Sequence, residues 1–198
     1  MDASETPFLK KSRFTEFFIR ENALDESGFQ EWTFYPGMLF NAMDKWWGNR
    51  GKRDKPHEGL DLCFYKDRKD RIFCFDEKMK IPALYDGIVV KMVDDFMGKS
   101  VFVEHRLPDS NHRRFFMIYG HTNPLPHLHD GRIVKEGEII AALARPGKPQ
   151  INIPPHLHLS LAWIFNKISY ENLNWKTMGN LKELKWVDPL QVISRHSL

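Results

Sequence analysis

From residue 57 onward the chain adopts a hydrophobic period of two, and this limits what it can fold into. In LDLCFY, Leu60, Leu62 and Phe64 alternate with Asp61, Cys63 and Tyr65, the pattern of a strand with its two faces in different surroundings. DGIVVKMV, KSVFVEH, RRFFMIYGH, RIVKEGEIIAAL and HLHLSLAWI follow, separated by turn signals at Asp86-Gly87, Met97-Gly98, Pro108-Asp109 and Asp130-Gly131. Six or more short strands without helices between them predict a mainly β fold on an antiparallel β-sheet core. RRFFMIY is apolar on both faces and predicts a central strand covered on both sides. DGIVVK (86–91) and DGRIVK (130–135) are alike enough to suggest a duplicated strand unit.

The first fifty residues have a different period. Phe14, Phe17 and Phe18 in KKSRFTEFFIREN, and Leu39, Phe40, Met43, Trp46 and Trp47 in GMLFNAMDKWWGN, fall at helical spacing. They predict an N-terminal helical extension over residues 1–50, closed by the charged loop NRGKRDKP (49–56), with the β domain over 51–198. A length of 198 residues suits one domain with such an extension. The tail WVDPLQVISRHSL is expected to return along the surface.

Composition excludes some classes. A hydrophobic share of 42% beside 28% charged residues can bury a core. The net charge of +3 is too small to point to nucleic acid, and NRGKRDK reads as a solvated loop. No run of 18 apolar residues predicts a membrane span. The first thirty residues lack the apolar stretch of a secretory signal. Cys63 and Cys74 lack C-x-x-C spacing; a disulfide and two buried thiols both remain open.

The histidines hold the chemistry. In HEGLD, His57 and Asp61 are four residues apart and share a face in a strand or in a helix. HExxD is also half of a helical metalloprotease motif, with Glu58 as base. Gly59 and the alternation of Leu60, Leu62 and Phe64 favour the strand. In PPHLHLSLAW, His156 and His158 project together from one strand face. Two strands thus each offer a pair of metal-capable groups, and zinc in catalytic sites takes three protein ligands of this kind plus water. MIYGH brings His121 to a strand end. A second H-x-H, His127 and His129, sits between prolines and a turn, where no rigid backbone supports a metal. His105, His112 and His196 have no evident partners.

Taken in order, H-x-x-x-D, PALYDGIVV, YGH, VKEGEII, PHLHLSL and a closing DPL resemble the lysostaphin/LytM-type zinc metallopeptidases over about residues 56–190. The resemblance implies a duplicated hybrid motif fold and a peptidoglycan endopeptidase holding one zinc ion. His57, Asp61 and His158 would be the metal ligands, and His121 and His156 the catalytic histidines. It also implies a hydrolase of cell-wall cross-links or stem peptides, monomeric, in the bacterial periplasm or cell envelope. The alternative within the family is a catalytically silent module that binds cell wall and activates another hydrolase. Two departures, the insertion CFYKDRKDRIFCFDEKMK and the stretch ARPGKPQINIP, lie where they could wall a groove and alter substrate preference. Trp46 and Trp47 would line that groove or anchor packing, and the N-terminal extension would support the core or cover the site.

Overall fold

The structure, a computed structural model, describes residues 9–105, 113–145, 153–165, 168–181 and 184–196. The residues before 9, His112 and most of the ARPGKPQINIP stretch lie outside these. Helix α1 (Phe14–Glu21) precedes strands β1 (Phe29–Thr33), β2 (Leu60–Leu62), β3 (Phe64–Asp67), β4 (Ile72–Cys74) and β5 (Lys80–Pro82). Then come β6 (Gly87–Asp94), β7 (Lys99–His105), β8 (Arg113–Pro124), β9 (Ile133–Val134) and β10 (Ile139–Leu143). The chain closes with β11 (Leu157–Phe165), the short helix α2 (Trp175–Met178) and β12 (Lys185–Val187).

The fold is mainly antiparallel β-sheet with an N-terminal helix, as expected. The large sheet runs β12-β11-β8-β7-β6-β9, with β2 paired to β11 and the β5–β10 pair joined to β8. A small sheet, β1-β3-β4, lies apart from it. β8 is the central strand its double-sided apolar pattern predicts. Phe115, Met117 and Tyr119 enter the main core, while Phe116 and Ile118 enter a second one. The two similar hexapeptides are antiparallel neighbours, with Gly87 opposite Val134 and Ile88 opposite Ile133.

α1 forms where Phe14, Phe17 and Phe18 predict it. Phe14 and Phe18 are wholly buried, and the Phe18 ring lies 5.3 Å from Trp32 and 5.2 Å from Phe75. The helix thus packs into the main core.

The second expected helix is absent. Residues Pro36–Met38 make a single 3-10 turn, and the chain then bends irregularly through Trp47. Its backbone groups bond across to the following loop: Asn41 N–H donates to the His57 carbonyl at 2.9 Å, and His57 N–H to the Ala42 carbonyl at 3.0 Å. Arg53 N–H likewise reaches the Met43 carbonyl at 2.7 Å. Asn41 sits at φ 63°, which interrupts any helix there. A side chain at Gly37 would meet the Asp44 carbonyl oxygen at 2.7 Å, so this close crossing requires glycine. The tail also differs from expectation: Val192 and Ile193 are buried, and Trp32 N–H donates to the Arg195 carbonyl at 3.0 Å.

Candidate metal centre

Three strands and one loop bring the predicted polar residues together. Asp61 lies in β2 and His158 in β11, and the two are direct cross-strand partners. His57 precedes β2 in irregular backbone, held by its backbone bonds to Asn41 and Ala42. Gly59 lets this stretch lie against β11, because a Cβ there would meet the Leu159 carbonyl oxygen at 2.4 Å.

His121 arrives by a bulge. The β7–β8 register steps from Val101↔Tyr119 to Lys99↔Thr122, leaving an extra residue on β8. His121 sits at φ 62°, left-handed for a residue with a side chain. Asp95 grips it from two sides. One carboxylate oxygen accepts its backbone N–H at 2.8 Å, and the other lies 3.2 Å from Nδ1. The ring contact is an ion-pair distance, off line for a hydrogen bond. Ser100 Oγ donates to Asp95 at 2.7 Å, and the Trp175 indole N–H donates to Ser100 Oγ at 2.8 Å.

Three atoms define the centre. His57 Nε2 is 3.2 Å from His158 Nδ1 and 3.3 Å from Asp61 Oδ1, and His158 Nδ1 is 2.8 Å from Asp61 Oδ1. A tetrahedral zinc with bonds of about 2.0–2.1 Å would separate its donors by about 3.3 Å. Two imidazoles and a carboxylate, all buried, therefore could hold a metal in both chemistry and spacing. Among the described residues no cysteine joins this grouping.

The surrounding bonds orient each donor. His57 Nδ1 lies 3.0 Å from the Leu39 carbonyl, which only accepts, so Nδ1 carries the proton and Nε2 presents its lone pair. Asp61 Oδ2 accepts the Trp46 indole N–H at 2.7 Å, with the Arg53 guanidinium at 3.6 Å. His158 Nε2 lies 2.8 Å from Ser160 Oγ. Burial pushes the Asp61 carboxyl up, but the His57 and His158 imidazoles against it hold it well below the usual range.

His156 is buried above this triangle, with Nε2 4.0 Å from Asp61 Oδ1 and Nδ1 3.0 Å from the Pro154 carbonyl. Burial lowers its pKa to about 4, despite the attraction of Asp61. It is neutral at physiological pH, protonated on Nδ1, with Nε2 an acceptor. The ring centroids of His121 and His156 are 4.8 Å apart.

All five residues line one cavity of about 290 Å³, together with Trp47, Arg53, Glu58, Asp95, Phe96 and Trp175. Two more hollows flank it: about 610 Å³ along Tyr35, Trp46, Trp47 and Phe64, and about 560 Å³ along Lys55, Glu58, Trp175 and Trp186. The other histidines are elsewhere. His127 and His129 are exposed in a turn, His105 is buried against the Asp86 carbonyl, and His196 faces Glu31. Sequence reading missed Asp95, Arg53, Ser160 and Trp175. Ser160 shares the polar face of β11 with His158, and that alternation was its one visible signal.

Buried histidines and a carboxylate lining one cavity beside an antiparallel sheet define a candidate metal-site protein of β architecture. A model of Peptidase family M23 matches residues 71–171, which is 101 of the 198 residues, and the chain belongs to this family. The match includes His121, His156 and His158; His57 and Asp61 precede it. No curated protein matches the chain by sequence. Among solved structures, the catalytic domain of a prophage-encoded M23 protein from Enterococcus faecalis is similar at 18% identity and a TM-score of 0.40, over 73% of this chain and 97% of that one. A zinc-containing peptidase from Vibrio cholerae is similar at 18% identity and a TM-score of 0.43, over 74% of this chain. Lysostaphin is similar at 18% and 0.40, over 70% of this chain. The similarity spans only 41% and 43% of those last two chains.

Proposed function

We propose that the chain is a zinc-dependent endopeptidase that hydrolyses peptide bonds of peptidoglycan, in cross-links or stem peptides, at the bacterial cell envelope. Residues 51–198 are its peptidase domain and residues 1–50 an extension, and the unit acts as a monomer. The observation that carries this reading is the triangle of His57 Nε2, Asp61 Oδ1 and His158 Nδ1, with sides of 2.8–3.3 Å. These three would hold one zinc ion. In such a site zinc supplies Lewis acidity, which polarises a carbonyl and acidifies water.

The rest is done by the chain's own groups. His156, neutral and with Nε2 toward Asp61, takes the proton of the attacking water and passes it to the leaving amine. His121 handles the second proton position: Asp95 holds its Nδ1 side, and among the described residues no hydrogen bond occupies Nε2. The flanking hollows, walled by Trp46 and Trp47 on one side and Trp175 and Trp186 on the other, receive the peptide on both sides of the scissile bond.

The test is mass spectrometry of peptides released from purified peptidoglycan by zinc-loaded protein, with and without chelator. Chelator-sensitive new amine and carboxyl ends are expected, and they identify the bond cut. A folded, zinc-loaded protein that releases nothing but still binds the wall would replace this reading with the silent, activating module.

A further inference from the structure

We infer that Cys63 and Cys74 form a reversible disulfide that closes the base of the β3–β4 hairpin. This inference does not depend on the peptidase reading. The two sulfur atoms lie 3.7 Å apart as free thiols, Cys63 buried and Cys74 exposed. Their backbones are fixed by the ladder: Phe64 pairs with Cys74, and Phe75 N–H donates to the Cys63 carbonyl at 2.9 Å. Diagonal neighbours on adjacent strands sit about 6 Å apart at Cα, inside the span a disulfide bridges. In unbroken alternation residues 63 and 74 would face opposite sides of the ribbon. Strand structure lapses at Cys63, between β2 and β3, and there the sulfur meets Cys74.

The location gives the bond a purpose. The two cysteines bracket FYKDRKDRIF, the heart of the inserted stretch, in which β3 pairs with β1 and β4 rather than with the main sheet. β2, which carries Asp61, runs into this hairpin with only Cys63 between them. The Cys63 thiol also reaches the Pro155 carbonyl at 3.5 Å, next to His156. A covalent tie at residues 63 and 74 therefore isolates the Asp61 strand and the His156 approach from fraying of the hairpin.

The oxidant is an external disulfide, either a small molecule or a protein. The exposed Cys74 thiolate attacks one of its sulfurs, forming a mixed disulfide and releasing one thiol. The Cys63 thiolate then attacks the Cys74 sulfur, forming the internal bond and expelling the second thiol. The protein dithiol loses two electrons and two protons, and the external disulfide becomes two thiols.

The experiment uses the whole chain, incubated with oxidised or reduced glutathione, denatured in acid and alkylated, then weighed intact and mapped by proteolysis. Oxidised protein is expected to be lighter by two hydrogens, to take up no alkylating agent, and to yield a linked peptide joining residues 63 and 74. Its Tm should exceed that of the reduced form by about 5–10 °C. Cys74→Ser should abolish both effects. A persistent glutathione adduct on Cys74 with Cys63 still alkylated, or two alkylatable thiols under every condition, would overturn the inference.

Discussion

Replacing Trp46 with phenylalanine removes one hydrogen-bond donor and little else. The indole N–H lies 2.7 Å from Asp61 Oδ2, while Oδ1 of the same carboxylate faces His57 and His158. The ring also packs edge-on against Phe64 and His156, with centroids 6.1 Å and 5.1 Å away, and phenylalanine keeps most of that contact. A hydrogen bond to a charged group contributes about 1.5–3 kcal/mol. At about 1.4 kcal/mol per decade, its loss weakens zinc binding by roughly 10–100-fold if the indole acts by orienting Asp61. The Arg53 guanidinium at 3.6 Å remains and keeps the loss toward the lower end. Competition against a chromophoric chelator measures the zinc affinity directly, and the melting temperature of the metal-free protein serves as control. Unchanged affinity within about twofold would show that Trp46 only packs. A lower affinity accompanied by an equal loss of apo stability would mean that the loop, and not the donor, was damaged.

The remaining expectations are more direct. His158→Ala should lose both zinc and hydrolysis, whereas His121→Ala should keep zinc, measured by elemental analysis, and lose about 10²–10⁴-fold in turnover; a fully active His121→Ala would remove that histidine from the mechanism. Asp95→Ala should lower kcat more than it raises KM and leave zinc content intact, with Asp95→Asn recovering part of the loss, because the carboxylate grips both the ring and the backbone of His121. His105 is buried with its pKa lowered to about 4 from an ordinary 6.5, chiefly by desolvation. The unfolded chain therefore binds more protons between those values. The stability from this site is complete above about pH 6.5 and falls by about 3 kcal/mol as pH drops toward 4, a slope that denaturant titrations of a His105→Phe variant should lack. Gly59→Ala forces a Cβ to within 2.4 Å of the Leu159 carbonyl oxygen and should cost about 1–3 kcal/mol in chemical denaturation.

The sheet was legible because its cause is local. Alternation in β6, β7 and β11 encodes which face each side chain takes, and the double-sided apolar run of β8 marks a strand with a core on both sides. The second helix was misread for the same reason. Leu39, Phe40, Met43, Trp46 and Trp47 do have helical spacing, but they lie in a loop that leaves Met43 exposed and whose backbone bonds to residues 51–57, across space. Periodicity reports which residues are apolar together and says nothing of where the backbone finds its partners.

The site divides along the same line. The motifs HEGLD, YGH and HLH display the five polar residues that line the cavity, although His57 stands outside the strand expected to carry it with Asp61, in irregular backbone bonded to Asn41 and Ala42. The two H-x-H pairs show how far this logic reaches. His127-Leu128-His129 and His156-Leu157-His158 are identical tripeptides, yet the first is an exposed turn and the second enters β11 opposite Asp61. What separates them is the next four residues: Asp130-Gly131 ends the first run, while Leu159, Ser160, Leu161 and Ala162 continue the second as strand. Asp95 had no such marker. It sits in the turn before β7 and acts on His121, 26 positions away, only because a bulge in β8 rotates that histidine toward it. A bulge is a disagreement in register between two strands, and neither strand alone contains it.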